Sequence, residues 1–160
     1  MNKCLGIFFA AATLCSPLAA QRTSAVNVQV SSKTLDQVAR PGGTVRAEVK
    51  LVIANGWHIN SHAPSQEYMI ATSLVVDSTA AFPASGIRYP EARSVRLSLA
   101  ESPLTLYEGT VVIQVTCTVA PDAPKGKHVL NGTVTFQACN DKVCLAPSAV
   151  PLKIPVTVGS

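Results

Sequence analysis

Two cysteines near the C-terminus are the residues best suited to do chemistry. Cys139 and Cys144 are separated by four residues, of which Asn140, Asp141 and Lys142 favour a turn. Two sulfurs so spaced meet across a tight turn at the end of a strand. They form either an inert staple or a pair that exchanges between disulfide and dithiol. A loop this short constrains the unfolded chain by only about 2 kcal/mol on the loop-entropy model. A mature chain of about 140 residues buries roughly two-thirds of its surface and does not need a staple to fold. A bridge of small structural value in an exposed turn is therefore a candidate for redox work. Lys142 favours a thiolate and Asp141 opposes it, so the direction of any thiol shift stays open.

The other three cysteines are accounted for by export and by strand register. Met1-Asn2-Lys3, the uncharged run Cys4 to Cys15 and the small-residue exit Ser16-Pro17-Leu18-Ala19-Ala20 together read as a signal peptide, residues 1–20. The apolar run is too short to span a bilayer, which needs about 20 residues, and no later segment is long and apolar enough. The mature domain, residues 21–160, is thus expected in an oxidising compartment without membrane insertion. Cys4 and Cys15 leave with the leader. Cys117 falls in register with Val111, Ile113, Val115 and Val119, the apolar face of a strand, and is expected to be buried and unpaired. That leaves Cys139 and Cys144 as partners.

Competing chemistries find less support. His58 and His62, with two cysteines, would make a four-ligand metal set. However, ligands four apart converge on a helix, whereas Asn60, Ser61 and Pro64 argue for a loop, so both histidines are read as polar loop residues. His128 is expected to be exposed. Trp57 is read as a packing residue that could also shield the thiols. Glu67, Glu101 and Glu108 form no paired-carboxylate arrangement. No Ser/His/Asp set or phosphate-cradling glycine loop is visible, and no bound cofactor or metal is expected. The formal charge is +4, with no Lys/Arg cluster of the kind a nucleic-acid binder concentrates on one face.

The elements that must hold the cysteines read as strands. Apolar residues make up 48% of the chain and charged ones 14%, which disfavours both a disordered tail and long solvated helices. Alternation of period two runs through Val26–Val30, Val45–Ile53, Val95–Leu99 and Val111–Val119, with Pro and Gly in the gaps. Asn131-Gly132 is a hairpin signal, but the preceding segment is too short, so one strand from Lys127 to Gln137 with a bulge at Gly132 is expected. The last strand, Val150–Val158, carries Pro151 and Pro155 and should be an edge or bulged. Seven to eight strands without helices predict an all-β, immunoglobulin-like two-sheet β-sandwich in a single domain.

Phe136-Gln137-Ala138-Cys139-Asn140-Asp141-Lys142-Val143-Cys144-Leu145-Ala146-Pro147, followed by an apolar strand, resembles the redox segment of the N-terminal periplasmic domain of the thiol:disulfide interchange protein DsbD family. Gly56-Trp57-His58-Ile59-Asn60-Ser61 with Pro64, Tyr89-Pro90 and Tyr107-Glu108-Gly109 are similar to other parts of that domain. The resemblance spans Val26 to Val158. It implies an immunoglobulin-like carrier, a periplasmic protein-disulfide reductase component. Such a domain accepts reducing equivalents from a thioredoxin-like donor and passes them to oxidised periplasmic thiol proteins. It further implies Cys144 as nucleophile and Cys139 as resolving thiol, with Asn140, Asp141 and Lys142 as the supporting turn. The pair is one residue closer here than in well-known members. The family caps its thiols with a phenylalanine-bearing loop; the matching stretch Ala100–Leu104 has no aromatic, so shielding would fall to Leu104. The electron source is expected to be a separate molecule. The alternative is a non-catalytic binding or structural module with an inert Cys139–Cys144 bridge.

Overall fold

The computed structural model describes residues 23–98 and 100–159; the expected signal peptide and Leu99 lie outside the described residues. A single 3-10 turn, Ser24–Asn27, leads into eleven strands among the described residues. They are β1 (Val28–Thr34), β2 (Thr44–Ile53), β3 (His58–Asn60), β4 (Ser73–Val76), β5 (Ser85–Arg88), β6 (Arg93–Val95), β7 (Leu104–Tyr107), β8 (Thr110–Thr118), β9 (Gly126–Phe136), β10 (Ala138–Cys139) and β11 (Ser148–Val158).

All strand pairs are antiparallel and fall into three ladders, β1-β2-β8-β5, β11-β9-β4 and β10-β3-β7-β6. The long strands alternate as their sequences require. β2 buries Val45, Ala47, Val49, Leu51 and Ile53, and β8 buries Val111, Ile113, Val115 and Cys117. These meet Leu130, Val134 and Phe136 of β9 and Leu152, Ile154 and Val156 of β11 in one continuous core. The architecture is an all-β, immunoglobulin-like sandwich. Its second layer is divided into two ladders of mostly short strands, which raises the strand count above the expected seven to eight. Cys117 is free and 1% exposed.

Three local expectations are revised. The chain at Val26 is not yet a strand: Ser24 anchors a 3-10 turn, Val26 points to solvent, and the ladder begins at Val28. Of the described residues in the alternation Val95–Leu99, only Val95 lies in a strand, at the end of β6, and Leu97 instead joins a small apolar cluster with Leu104 and Leu106. β9 has no bulge at Gly132. The β9–β11 register runs unbroken from Phe136↔Ser148 to Gly126↔Val158, with Gly132 opposite Leu152. The glycine is needed for close approach instead, since a Cβ there would lie 2.7 Å from the Val75 carbonyl oxygen of β4.

β11 lies at the edge of its ladder, where its prolines cost no hydrogen bond. Its outward carbonyls are not left bare. The Ser32 hydroxyl donates to the Lys153 carbonyl at 2.6 Å, and the Thr34 hydroxyl donates to that of Pro155.

Candidate functional site

The cysteine hairpin grows out of the core. β9 ends at Phe136, which is fully buried, and after Gln137 the chain enters β10, where Ala138 pairs with Ile59 and Cys139 with His58 of β3. A tight turn follows. The Asn140 N–H donates to the Val143 carbonyl at 2.9 Å, while the Asn140 side-chain oxygen accepts the N–H groups of Lys142 and Val143, each at 2.9 Å. This is the local capping that favours Asn at turn entries. The Leu145 N–H closes the hairpin on the Ala138 carbonyl at 2.9 Å. Cys139 and Cys144 are thereby opposed and joined as a disulfide, with Cα atoms 4.0 Å apart.

The two sulfur-bearing residues differ in access. Cys139 is 5% exposed, whereas Cys144 lies on the surface. Asp141 and Lys142 are exposed at the turn, and the Asp141 carbonyl accepts the Ser98 hydroxyl at 3.1 Å.

The base of the hairpin is clamped by a residue 114 positions away in sequence. Fully buried Ser24 donates its hydroxyl to the Ala146 carbonyl at 2.7 Å and accepts the Ala138 N–H at 2.8 Å. One side chain thus ties both arms of the hairpin, one residue before Cys139 and two after Cys144. The sequence reading missed Ser24, whose role depends on a contact no local pattern reports.

The small ladder β10-β3-β7-β6 positions what surrounds the pair. Successive side chains of a strand point to opposite faces. Ala138, Ile59 and Tyr107 join the main core. Cys139, His58, Asn60, Leu104 and Leu106 line a cavity of about 300 Å³, together with Cys144. Two loops complete its wall, one contributing Tyr68 and Met69 and the other Leu97 and Ala100. The loops are tied by hydrogen bonds from Gln66 to the Ser102 hydroxyl (3.2 Å) and from the Ser65 hydroxyl to the Pro103 carbonyl (3.4 Å).

Leu104 is buried in this wall and packs with Leu97 and Leu106. Trp57 is not among the cavity residues; it packs against the main core and borders an adjoining cleft with Arg96, Glu108 and Asp141. Tyr68, 80% exposed, and Met69 belong to the rim and were not singled out from sequence. An aromatic at the edge of a cavity carries no local pattern to find it by.

His58 and His62, considered together as a ligand pair, are engaged separately. His62 stacks on Tyr89 with ring centroids 3.7 Å apart, and its Nδ1 lies 3.2 Å from the Thr72 carbonyl oxygen. His58 is a strand residue rather than a loop residue and is 4% exposed. Its Nε2 and the Oδ1 of Asn60 are buried without a hydrogen-bond partner. Burial pushes the His58 imidazole below its ordinary value of 6.5, against the opposing pull of Glu108 and Asp141. Among the described residues, no group of three or more His, Cys, Asp and Glu is arranged to hold a metal ion. Nor is any helix there long and apolar enough to cross a membrane.

A family model described as thiol:disulfide interchange protein DsbD, N-terminal, matches residues 13–153. Among solved structures, the N-terminal periplasmic domain of ScsB from Proteus mirabilis superposes with a TM-score of 0.55 at 18% identity, covering 79% of this chain and 45% of that one. The chain therefore spans less than half the length of that relative. The DsbD N-terminal domain of Neisseria meningitidis in the reduced form gives a TM-score of 0.45 at 17% identity, covering 80% of this chain and 85% of that one. No curated protein sequence matches the chain.

Proposed function

Because this chain belongs to the family of DsbD N-terminal thiol:disulfide interchange domains, we propose that it is an exported electron carrier of the periplasm working through Cys139 and Cys144. A thioredoxin-like donor supplies the reducing equivalents, and oxidised periplasmic thiol proteins receive them.

The observation that carries this reading is the unequal exposure of the two cysteines. A thiolate of the donor attacks the exposed Cys144 sulfur, and the Cys139 sulfur leaves with the bonding pair. The donor's second thiol then breaks the mixed disulfide, leaving both cysteines as thiols and the donor as a disulfide. In the forward step, the Cys144 thiolate attacks a target disulfide, and Cys139, held behind it, resolves the mixed species. Burial of Cys139 supports its resolving role, because a thiol out of reach of the target meets only the bond formed at its neighbour. Asn140, with Asp141 and Lys142 in the same turn, keeps the pair in register, and Leu104 with Met69 shields the inner sulfur.

A Cys144→Ser variant tests the assignment. It should lose exchange with a thioredoxin-like donor, and exchange at the wild-type rate would overturn the reading. A Cys139→Ser variant should accumulate mixed disulfides at Cys144. A reduction potential below about −300 mV for the pair, beyond the reach of cellular thiols, would identify the bridge as structural instead.

A further inference from the structure

His58 has a buried nitrogen and nothing to bond it to. It is the register partner of Cys139 across the β3–β10 ladder. Residues directly opposed in an antiparallel pair share a face, with Cβ atoms about 4.5–5.5 Å apart. Both side chains line the same cavity, His58 is 4% exposed, and its Nε2 has no hydrogen-bond partner. A buried polar atom left unpaired calls for a reason. Here the reason lies in the redox state. In the disulfide form neither sulfur carries a proton, so Cys139, opposite His58 in the ladder, has no hydrogen to give to Nε2. Reduction puts an S–H on Cys139.

We propose that His58 is the acid–base residue of the pair, its Nε2 taking the proton of the Cys139 thiol during resolution and returning it in the reverse step. The inference rests on the exchange reading above and adds a residue to it. In resolution, the Cys139 sulfur bonds to the Cys144 sulfur while the bond from Cys144 to the partner breaks. The partner sulfur departs with the bonding electrons, and the Cys139 proton passes to Nε2. It goes on from there to the partner thiolate or to water. The two cysteines are oxidised, the partner's disulfide is reduced, and two electrons cross.

Burial disfavours the imidazolium and so favours the neutral ring, the form able to accept this proton. The charged and titratable groups around it come from several elements. Asp141 lies in the cysteine turn, Glu108 at the end of β7, Arg96 beyond β6 and Tyr68 on the rim loop. Asp141 and Glu108 stabilise the imidazolium once it forms. Asn60, the other lining residue with an unpaired buried oxygen, does not titrate and cannot substitute for it.

The experiment follows Cys139 alone. In a Cys144→Ser protein, alkylation of Cys139 by iodoacetamide is measured from pH 5 to 10 by peptide-resolved mass spectrometry, with and without His58→Gln. Loss of His58 should displace the profile to higher pH. At pH 7 the expected loss of rate is about tenfold, the change in thiolate fraction that one pH unit of displacement produces. Altered access would scale the rate at every pH, whereas the proton role moves the shape of the curve. Superimposable shapes overturn the proposal.

A second measurement needs no variant. The His58 ring signals of the wild-type protein, titrated by NMR, should move with pH over a higher range in the reduced protein than in the oxidised one; identical titrations overturn the proposal. Neither measurement requires a partner protein. A His58-dependent profile in a protein that exchanges with no donor leaves the proton role standing and removes the carrier function. Normal exchange with a His58-independent profile removes only the proton role.

Discussion

Replacing Asn140 with Ala should make the cysteine pair more oxidising. The Asn140 side-chain oxygen accepts two backbone N–H groups, from Lys142 and Val143, each at 2.9 Å. In the oxidised protein the sulfur–sulfur bond holds the turn whether or not those bonds exist. In the reduced protein the turn relies on them, on the Asn140–Val143 backbone bond and on the short β10–β3 pairing. Without the side-chain acceptor the reduced turn opens more often and the thiols spend less time within bonding reach. Oxidation is then less favoured. Hydrogen bonds contribute about 0.5–1.5 kcal/mol each, and exposed ones lie at the low end, so the two together are worth about 1 kcal/mol. For a two-electron couple about 30 mV corresponds to 1.4 kcal/mol, which sets the upward shift at about 20 mV. The assay equilibrates the protein in glutathione or dithiothreitol buffers, quenches with an alkylating reagent and counts modified cysteines by mass. Asn140→Asp keeps an acceptor and should stay near wild type. An Asn140→Ala potential that is unchanged, or lower, would refute the reasoning.

Three further outcomes are expected. Ser24→Ala removes the acceptor for the buried Ala138 N–H and the donor to Ala146, so urea unfolding should show a loss of about 1–3 kcal/mol, and hydrogen exchange at Ala138 should accelerate. Gly132→Ala puts a methyl group 2.7 Å from the Val75 carbonyl and should cost about 1–3 kcal/mol, with the β4 amides losing protection first. His58 is held below its ordinary value of 6.5 in the folded protein, so the unfolded chain takes up its proton first as pH falls. Stability is therefore full above 6.5 and declines as pH drops from there through the folded value, by at most about 1.4 kcal/mol per pH unit for one proton. Urea midpoints measured against pH should lose that decline in His58→Gln.

What could be read in advance follows from where each strand lies. β2, β8, β9 and β11 are nine to eleven residues long with one face on the core, so alternation announces them. Cys139, Cys144 and their turn were visible because their geometry is local. β3 was not. All three of its residues are buried, since one face meets the main core and the other the cavity, and a strand buried on both faces carries no alternation. The turn-forming residues after it completed the impression of a loop. Gly132 was taken for a bulge because Asn-Gly is a turn signal, while its purpose, the approach of β4, lies in tertiary structure. The cavity gathers residues from 58–69, 97–106 and 137–144, and no window of sequence contains them together.

The Ser24 clamp bears on the order in which the protein is made. Ser24 precedes its contact at Ala146 by 122 positions, so a chain that emerges from its N-terminus carries one half of the clamp long before the other appears. Cys139 and Cys144 are five positions apart and meet as soon as their own turn is out. The sulfur pair is thus brought together by a local turn, whereas the clamp that seats it waits for residues 24 and 146 to meet.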